Sequence, residues 1–324
     1  MGKRNKNLIL CDEALFSKDL SNQIYIVTGA NSGVGLETTR QLIKQGAHVI
    51  MACRRVDAAE EVAQSFSGFK GSYEVIRCDL SELQSVRTFV TAFLEKYDRL
   101  DGLVCNAGMV NMNSTPDYTV DGLEGTMAVS YFGHFLMIEL LLDVLKKSAP
   151  STVIILSSVV HAGNPKNRYD MHFEDLNYKT RKFSNFQAYG EAKLAAVLYA
   201  KELAERLEGT GVMTASVHPG WARSNFGGGG NWIMRTMMGM MQPILYNLTS
   251  WTDSSEDSAH TSLHVLLSDE ARQHSGAYFS QHSVLYEKGC REGGWPMKSP
   301  NPNAHDMDKA RKLVQVSREI VGLT

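Results

Sequence analysis

The chain has 324 residues, 43% of them hydrophobic, enough for one large α/β domain or two small ones. Its formal net charge of −2 gives no support to nucleic-acid binding. The five cysteines (Cys11, Cys53, Cys78, Cys105 and Cys290) are scattered without metal-ligand spacing, so the expectation is reduced thiols in a cytoplasmic compartment and no metal. No apolar stretch comes near the roughly 20 residues of a membrane span. Leu8-Ile9-Leu10 is far too short for a secretory signal.

Residues 1–20 read as a polar lead-in. Ile24-Tyr25-Ile26-Val27 is then an apolar run of strand type, and Leu36 to Lys44 carries a helical pattern. Between them lies Thr28-Gly29-Ala30-Asn31-Ser32-Gly33-Val34-Gly35. A strand, a tight glycine turn and a helix bring backbone N–H groups and a helix N-terminus up to a pyrophosphate. Gly29 permits the turn, Gly33 lets the backbone approach the phosphates, and Gly35 lets the helix pack closely on the strand. Ser32 and Val34 belong to the same cradle. Alone, this spacing is equally that of a plain glycine-rich turn, and it gains weight from the residues at the ends of the later strands.

A second strand, His48 to Ala52, ends at Cys53-Arg54-Arg55. An acid at this strand end would hold the adenosine ribose hydroxyls of NAD. Cys53 stands there instead, followed by Arg54, whose guanidinium suits a 2′-phosphate, so the sequence favours NADP. A third strand, Tyr73 to Cys78, closes at Asp79-Leu80, where Asp79 can accept from an adenine amino group or cap the helix expected over 82–97. Leu100 to Cys105 makes a fourth strand ending in Asn106-Ala107-Gly108, small enough for a cofactor to lie across the sheet edge. A long helix runs from Leu123 to Lys147, and Pro150 stops it. Thr152 to Leu156 is a fifth strand ending in Ser157-Ser158. A polar excursion over 161–187 precedes a helix from Tyr189 to Leu207, and Val212 to Val217 is a sixth strand ending in His218-Pro219-Gly220. This alternation predicts an α/β fold, one doubly wound parallel sheet with helices on both faces. It would occupy residues 21–290, with 291–324 as a wrap and helix of the same domain.

A Tyr four places before a Lys occurs twice, as Tyr178/Lys182 and Tyr189/Lys193. The first sits in the polar excursion. The second opens a periodic helix (Leu194, Val197, Leu198, Leu203), which puts both side chains on one face. An ammonium about 4 Å from a phenol, at an effective dielectric near 20, supplies about 4 kcal/mol, enough to lower the phenol by about three pKa units. Such a phenol exchanges a proton with a substrate oxygen near neutral pH, and Ser158 could donate a hydrogen bond to the same oxygen.

Taken together, Thr28-Gly29-x-x-x-Gly33-x-Gly35, Asn106-Ala107-Gly108, Ser158, Tyr189-x-x-x-Lys193 and Pro219-Gly220 resemble the short-chain dehydrogenase/reductase family. Ala52-Cys53-Arg54, Asp121-Gly122-Leu123-Glu124, Gly133-His134-Phe135 and His218-Pro219-Gly220 are most similar to its retinol dehydrogenases and the catalytic domain of the WW-domain oxidoreductase. The resemblance implies a Rossmann-type domain and NADP-linked interconversion of an alcohol with a ketone or aldehyde. It implies Tyr189 as proton donor and acceptor, Lys193 on the nicotinamide ribose, Ser158 on the substrate oxygen and Pro219-Gly220 along the nicotinamide pocket. Two departures stand out. Ser130 occupies the place of the family's usual Asn, which helps hold a water linking the lysine to solvent. The membrane anchor common in retinol dehydrogenases is not among these residues. The family's Thr after Pro-Gly appears as Ser224.

Four glycines, Gly227 to Gly230, precede a methionine-rich run from Trp232 to Tyr246. The expectation is a lid near 227–250 over an apolar substrate site, with a core helix or a membrane-surface or subunit contact as alternatives. The reading is therefore an NADP-dependent oxidoreductase of an apolar alcohol or carbonyl, retinoid, steroid or lipid-like. No membrane span is expected, while peripheral membrane contact and homo-oligomerisation stay open. The competing class, prompted by Ser130, is a nucleotide-binding interaction or regulatory protein with weak catalysis.

Overall fold

The computed structural model describes residues 8–221, 253–282 and 293–323. Ser224, Cys290 and the glycine and methionine runs expected to form the lid lie outside them. The described residues form one eight-stranded sheet in the order β3-β2-β1-β4-β5-β6-β7-β8. Its strands are β1 (Ile24–Thr28), β2 (His48–Cys53), β3 (Ser72–Arg77), β4 (Gly102–Cys105), β5 (Ser151–Leu156), β6 (Val212–His218), β7 (Tyr278–Ser280) and β8 (Gly294–Met297). The first seven pair in parallel, and β8 joins β7 antiparallel. The wrap expected at the start of 291–324 thus contributes an edge strand, where Pro296 is tolerated because an edge can lack a ladder donor.

The central strands are apolar almost end to end because both faces of the sheet are covered. Helices α1 (Gly33–Lys44) and α6 (Ser255–Leu267) pack on one face with α2 (Val56–Ala63) beside them. Helices α3 (Leu83–Lys96), α4 (Gly125–Lys147) and α5 (Asn185–Arg206) cover the other face. A last helix, α7 (Met307–Ile320), packs on α5. Its Ser317 hydroxyl bonds the buried Tyr131 hydroxyl at 2.9 Å, and its Arg318 reaches the buried carboxylate of Glu139 at 2.8 Å. Glu139 also accepts from Tyr199 Oη and from the Arg206 guanidinium, so a carboxylate on α4 joins α5 to α7.

Two expectations need correction. Helix α4 is in fact long and apolar enough to cross a membrane by length and composition, but 78% of its most apolar window is buried, so it is the sheet's central cover. It also contains a wider π-type turn over Ala128–Phe132, which carries Ser130. Helix α5 begins at Asn185, one turn ahead of Tyr189.

Candidate active site

The strand order reverses between β1, which leads on to β2 and β3, and β4, which leads the other way. Open α/β sheets bind ligands in the crevice at the carboxyl ends of strands at such a switch point. The turn after β1 needs its glycines. Gly29 has φ 63°, and a β-carbon on Gly35 would sit 2.4 Å from Asn106 Nδ2 and 2.6 Å from the Gly29 carbonyl. Ser32 is the N-cap of α1, yet its side chain makes no capping bond, so the first-turn amides keep their donors. Val34 is buried, so only its backbone can face a ligand.

Across the crevice, Asn106 Nδ2 donates to the Thr28 carbonyl at 2.8 Å. The Thr28 hydroxyl accepts from the amides of Asn106 and Ala107, each at 2.9 Å, and lies 2.9 Å from His134 Nε2. A hydroxyl has one proton to give. With two N–H groups already donating to it, that proton can go to Nε2 or to the Val104 carbonyl at 3.4 Å, and burial keeps His134 neutral. Burial, reinforced by Lys193, pushes its pKa down to about 3. Neither Thr28 nor His134 carried a signal as a positioning group in the sequence.

Arg54 and Arg55 are exposed beyond β2 and, with Arg77 from β3, outnumber the carboxylates of Asp57 and Glu61 around a cavity of about 570 Å³. Cys53, in the place of the usual acid, is buried with its sulfur 3.8 Å from Asn31 Oδ1. Asp79 does not cap the next helix. Its carboxylate accepts from the Ser81 amide and hydroxyl, while the first amide of α3 is met by Asp121. Leu80 is buried. An open glycine turn, uncapped helix amides and a basic cavity at the adjoining strand end fit a phosphorylated dinucleotide.

At the end of β5, Ser158 hydrogen-bonds the Tyr189 hydroxyl. Below it, His161 Nδ1 lies 2.5 Å from the Ser158 carbonyl, and its Nε2 lies 2.6 Å from the Ser299 hydroxyl. Lys193 is 3% exposed, with Nζ 5.5 Å from the centroid of the Tyr189 ring and donating to the Leu156 carbonyl at 2.9 Å. Burial pushes the Tyr189 phenol above its ordinary pKa, while the Ser158 hydrogen bond pulls it the other way. The same burial pushes Lys193 down to about 8. Desolvation opposes the charged form of both groups and outweighs the Coulomb attraction on which the expectation of an acidic phenol rests. Ser130 Oγ is engaged with the Met109 backbone at 3.3 Å.

The competing pair does not assemble. Tyr178 donates to Glu191 Oε2 at 2.9 Å beneath the Arg181 guanidinium, and Lys182 is exposed on the excursion. Glu191, 1% exposed between Tyr189 and Lys193 in sequence, also receives both terminal nitrogens of Arg181 and Gln187 Nε2. It anchors the helical segment that carries both side chains.

A doubly wound sheet with this glycine turn, and with a phenol, a hydroxyl and an ammonium at its carboxyl edge, has the architecture of Rossmann-type dinucleotide-dependent oxidoreductases. A short chain dehydrogenase family model matches residues 23–168. Retinol dehydrogenase 13 of Homo sapiens is 37% identical over 305 residues, covering 92% of this chain and 84% of that protein. Retinol dehydrogenase 14 of Mus musculus is 35% identical over 312 residues, covering 92% and 85%. Among solved structures, an uncharacterized protein from Mycobacterium paratuberculosis superposes with TM-score 0.71 at 25% identity, covering 100% of this chain and 98% of that one. An NADP complex of Pseudomonas aeruginosa RhlG superposes with TM-score 0.63 at 24% identity over 81% and 95% of the chains. The chain belongs to the short-chain dehydrogenase/reductase family, and it is a nicotinamide-dependent alcohol/carbonyl oxidoreductase.

This geometry carries two stability predictions. Arg181→Ala leaves the buried Glu191 carboxylate without its guanidinium and is expected to cost on the order of 3 kcal/mol, read by urea unfolding. The unfolded chain keeps the Lys193 proton up to about 10.5, the folded one only to about 8. The ammonium therefore opposes folding by about 3 kcal/mol below pH 8, and that penalty fades as pH rises toward 10.5. Lys193→Met should melt at or above the wild-type temperature at pH 7, with the difference shrinking by pH 10. A lower melting temperature at pH 7 refutes the penalty.

Proposed function

We propose that the protein is an NADP-dependent oxidoreductase that interconverts an apolar alcohol, retinoid, steroid or lipid-like, with its ketone or aldehyde. The observation that carries this reading is the Ser158–Tyr189 hydroxyl pair with Lys193 one helical turn further along α5. The glycine turn (Gly29, Ser32, Gly33, Val34, Gly35) would hold the diphosphate, and Asp79-Leu80 and Asn106-Ala107-Gly108 would flank the adenine and ribose. Pro219-Gly220 would line the nicotinamide. Arg54, with Arg55 and Arg77 around the same cavity, supports the 2′-phosphate and hence NADP over NAD. The names of the retinol dehydrogenase relatives and the methionine-rich run over 232–246 support an apolar substrate.

Bound nicotinamide supplies the hydride acceptor or donor. Tyr189 moves the proton at the substrate oxygen, giving it in reduction and taking it in oxidation. Ser158 donates to the same oxygen and fixes its distance from the phenol. Lys193 places positive charge where the phenolate forms and would hold the nicotinamide ribose. Because burial raises the Tyr189 pKa, that charge stabilises the phenolate while the proton is away rather than creating a free phenolate at rest.

The deciding experiment is steady-state turnover with NADPH and NADH against a panel of apolar aldehydes and ketones. Turnover with NADPH preferred by at least about tenfold is expected, since a charge-assisted hydrogen bond is worth about 1.5–3 kcal/mol. Tight NADPH binding with no turnover on any member would instead favour the binding-protein reading that Ser130 raises. Tyr189→Phe should lower kcat by about a thousandfold with an unchanged melting temperature. Arg54→Asp should shift selectivity toward NAD by about tenfold or more, and unchanged selectivity removes Arg54 from the account.

A further inference from the structure

Asp253 is 1% exposed, and its carboxylate is spent on the turn after β6. Its Oδ2 accepts the Trp221 amide at 3.2 Å, and its own amide donates to the Trp221 carbonyl at 3.1 Å. Gly220 has φ +108°, and a β-carbon there would come within 2.5 Å of the same Oδ2. The carboxylate thus sits where a side chain at position 220 would have been. A carboxyl group this deep is costly unless a donor faces it. His282, 2% exposed, supplies one, with Nε2 2.8 Å from Oδ2. The amide of Gln281, the preceding residue, donates to the His218 carbonyl at 3.2 Å, which brings the segment after β7 onto the end of β6. Asp253 Oδ1 is buried and has no hydrogen-bond partner among the described residues.

We propose that Asp253, held by His282, is a positioning residue for the nicotinamide end of the cofactor, acting through the Pro219-Gly220-Trp221 turn. This rests on the oxidoreductase reading above. Three chain segments far apart in sequence meet at that turn, at the opposite end of the crevice from Arg54 and the basic cavity. A defect here should therefore be felt by the nicotinamide half of the dinucleotide and not by the adenosine half.

The test is calorimetric binding of NADPH and of 2′,5′-ADP, which lacks the nicotinamide, to the full chain and its variants. Asp253→Ala and His282→Leu should each raise the Kd for NADPH by tenfold or more and leave that for 2′,5′-ADP within twofold. His282→Gln, which keeps an N–H donor, should recover most of the NADPH affinity. Should Asp253→Ala fail to fold, His282→Leu carries the comparison, since it keeps the carboxylate that accepts the Trp221 amide. Where the wild type binds NADPH well, equal weakening of both ligands in the variants, or unchanged NADPH affinity, overturns the positioning role alone. Failure of the wild type to bind NADPH at all overturns the oxidoreductase reading and this proposal with it.

Discussion

A single hydroxyl ties together the groups that flank the crevice. Thr28 Oγ1 stands at the end of the central strand, takes two amides from the loop after β4, and lies within hydrogen-bond distance of a buried imidazole on α4. Asn106 returns a bond to the Thr28 carbonyl, and the missing side chain of Gly35 lets α1 close against the same amide. Strand ends, glycine turn and central helix are therefore registered to one another before any ligand arrives. The arrangement depends on His134 staying neutral, which its burial ensures.

The same burial governs the chemistry. Pairwise Coulomb attraction between Lys193 and Tyr189 argues for an acidic phenol, yet removing both from water opposes the charged form of each. The protein carries a buried ammonium that opposes its folding near neutral pH, a cost functional sites commonly bear. Glu191 and Arg181, immediately beside it, compensate by fixing the helix that bears the two groups.

Much of this was legible in the chain itself. Strands buried on both faces read as continuous apolar runs, and the candidate site residues follow their carboxyl ends. Context alone separated Tyr189/Lys193 from Tyr178/Lys182. What escaped notice had a physical reason. Strand β7 has three residues, too few for a period, and β8 runs through a proline in a stretch of loop composition. Helix α2 is short and α6 weakly amphipathic, so neither rises above the polar background. Thr28, His134, His161 and Asp253 act through contacts between distant segments, which no local spacing encodes. Arg77 joins the basic cavity from a neighbouring strand, visible only once the strand order is known.

The seal formed by α7 bears on how the molecule assembles. Tyr131 waits for Ser317, a partner 186 positions away, and Arg87 on α3 reaches the Val321 carbonyl across 234. Ile9 meets Gln281 across 272. Closing loops of that size costs entropy before any native contact returns it. During biosynthesis the face of α5 that α7 covers stays open until residues 307–320 have been made and dock, a period of vulnerability to aggregation.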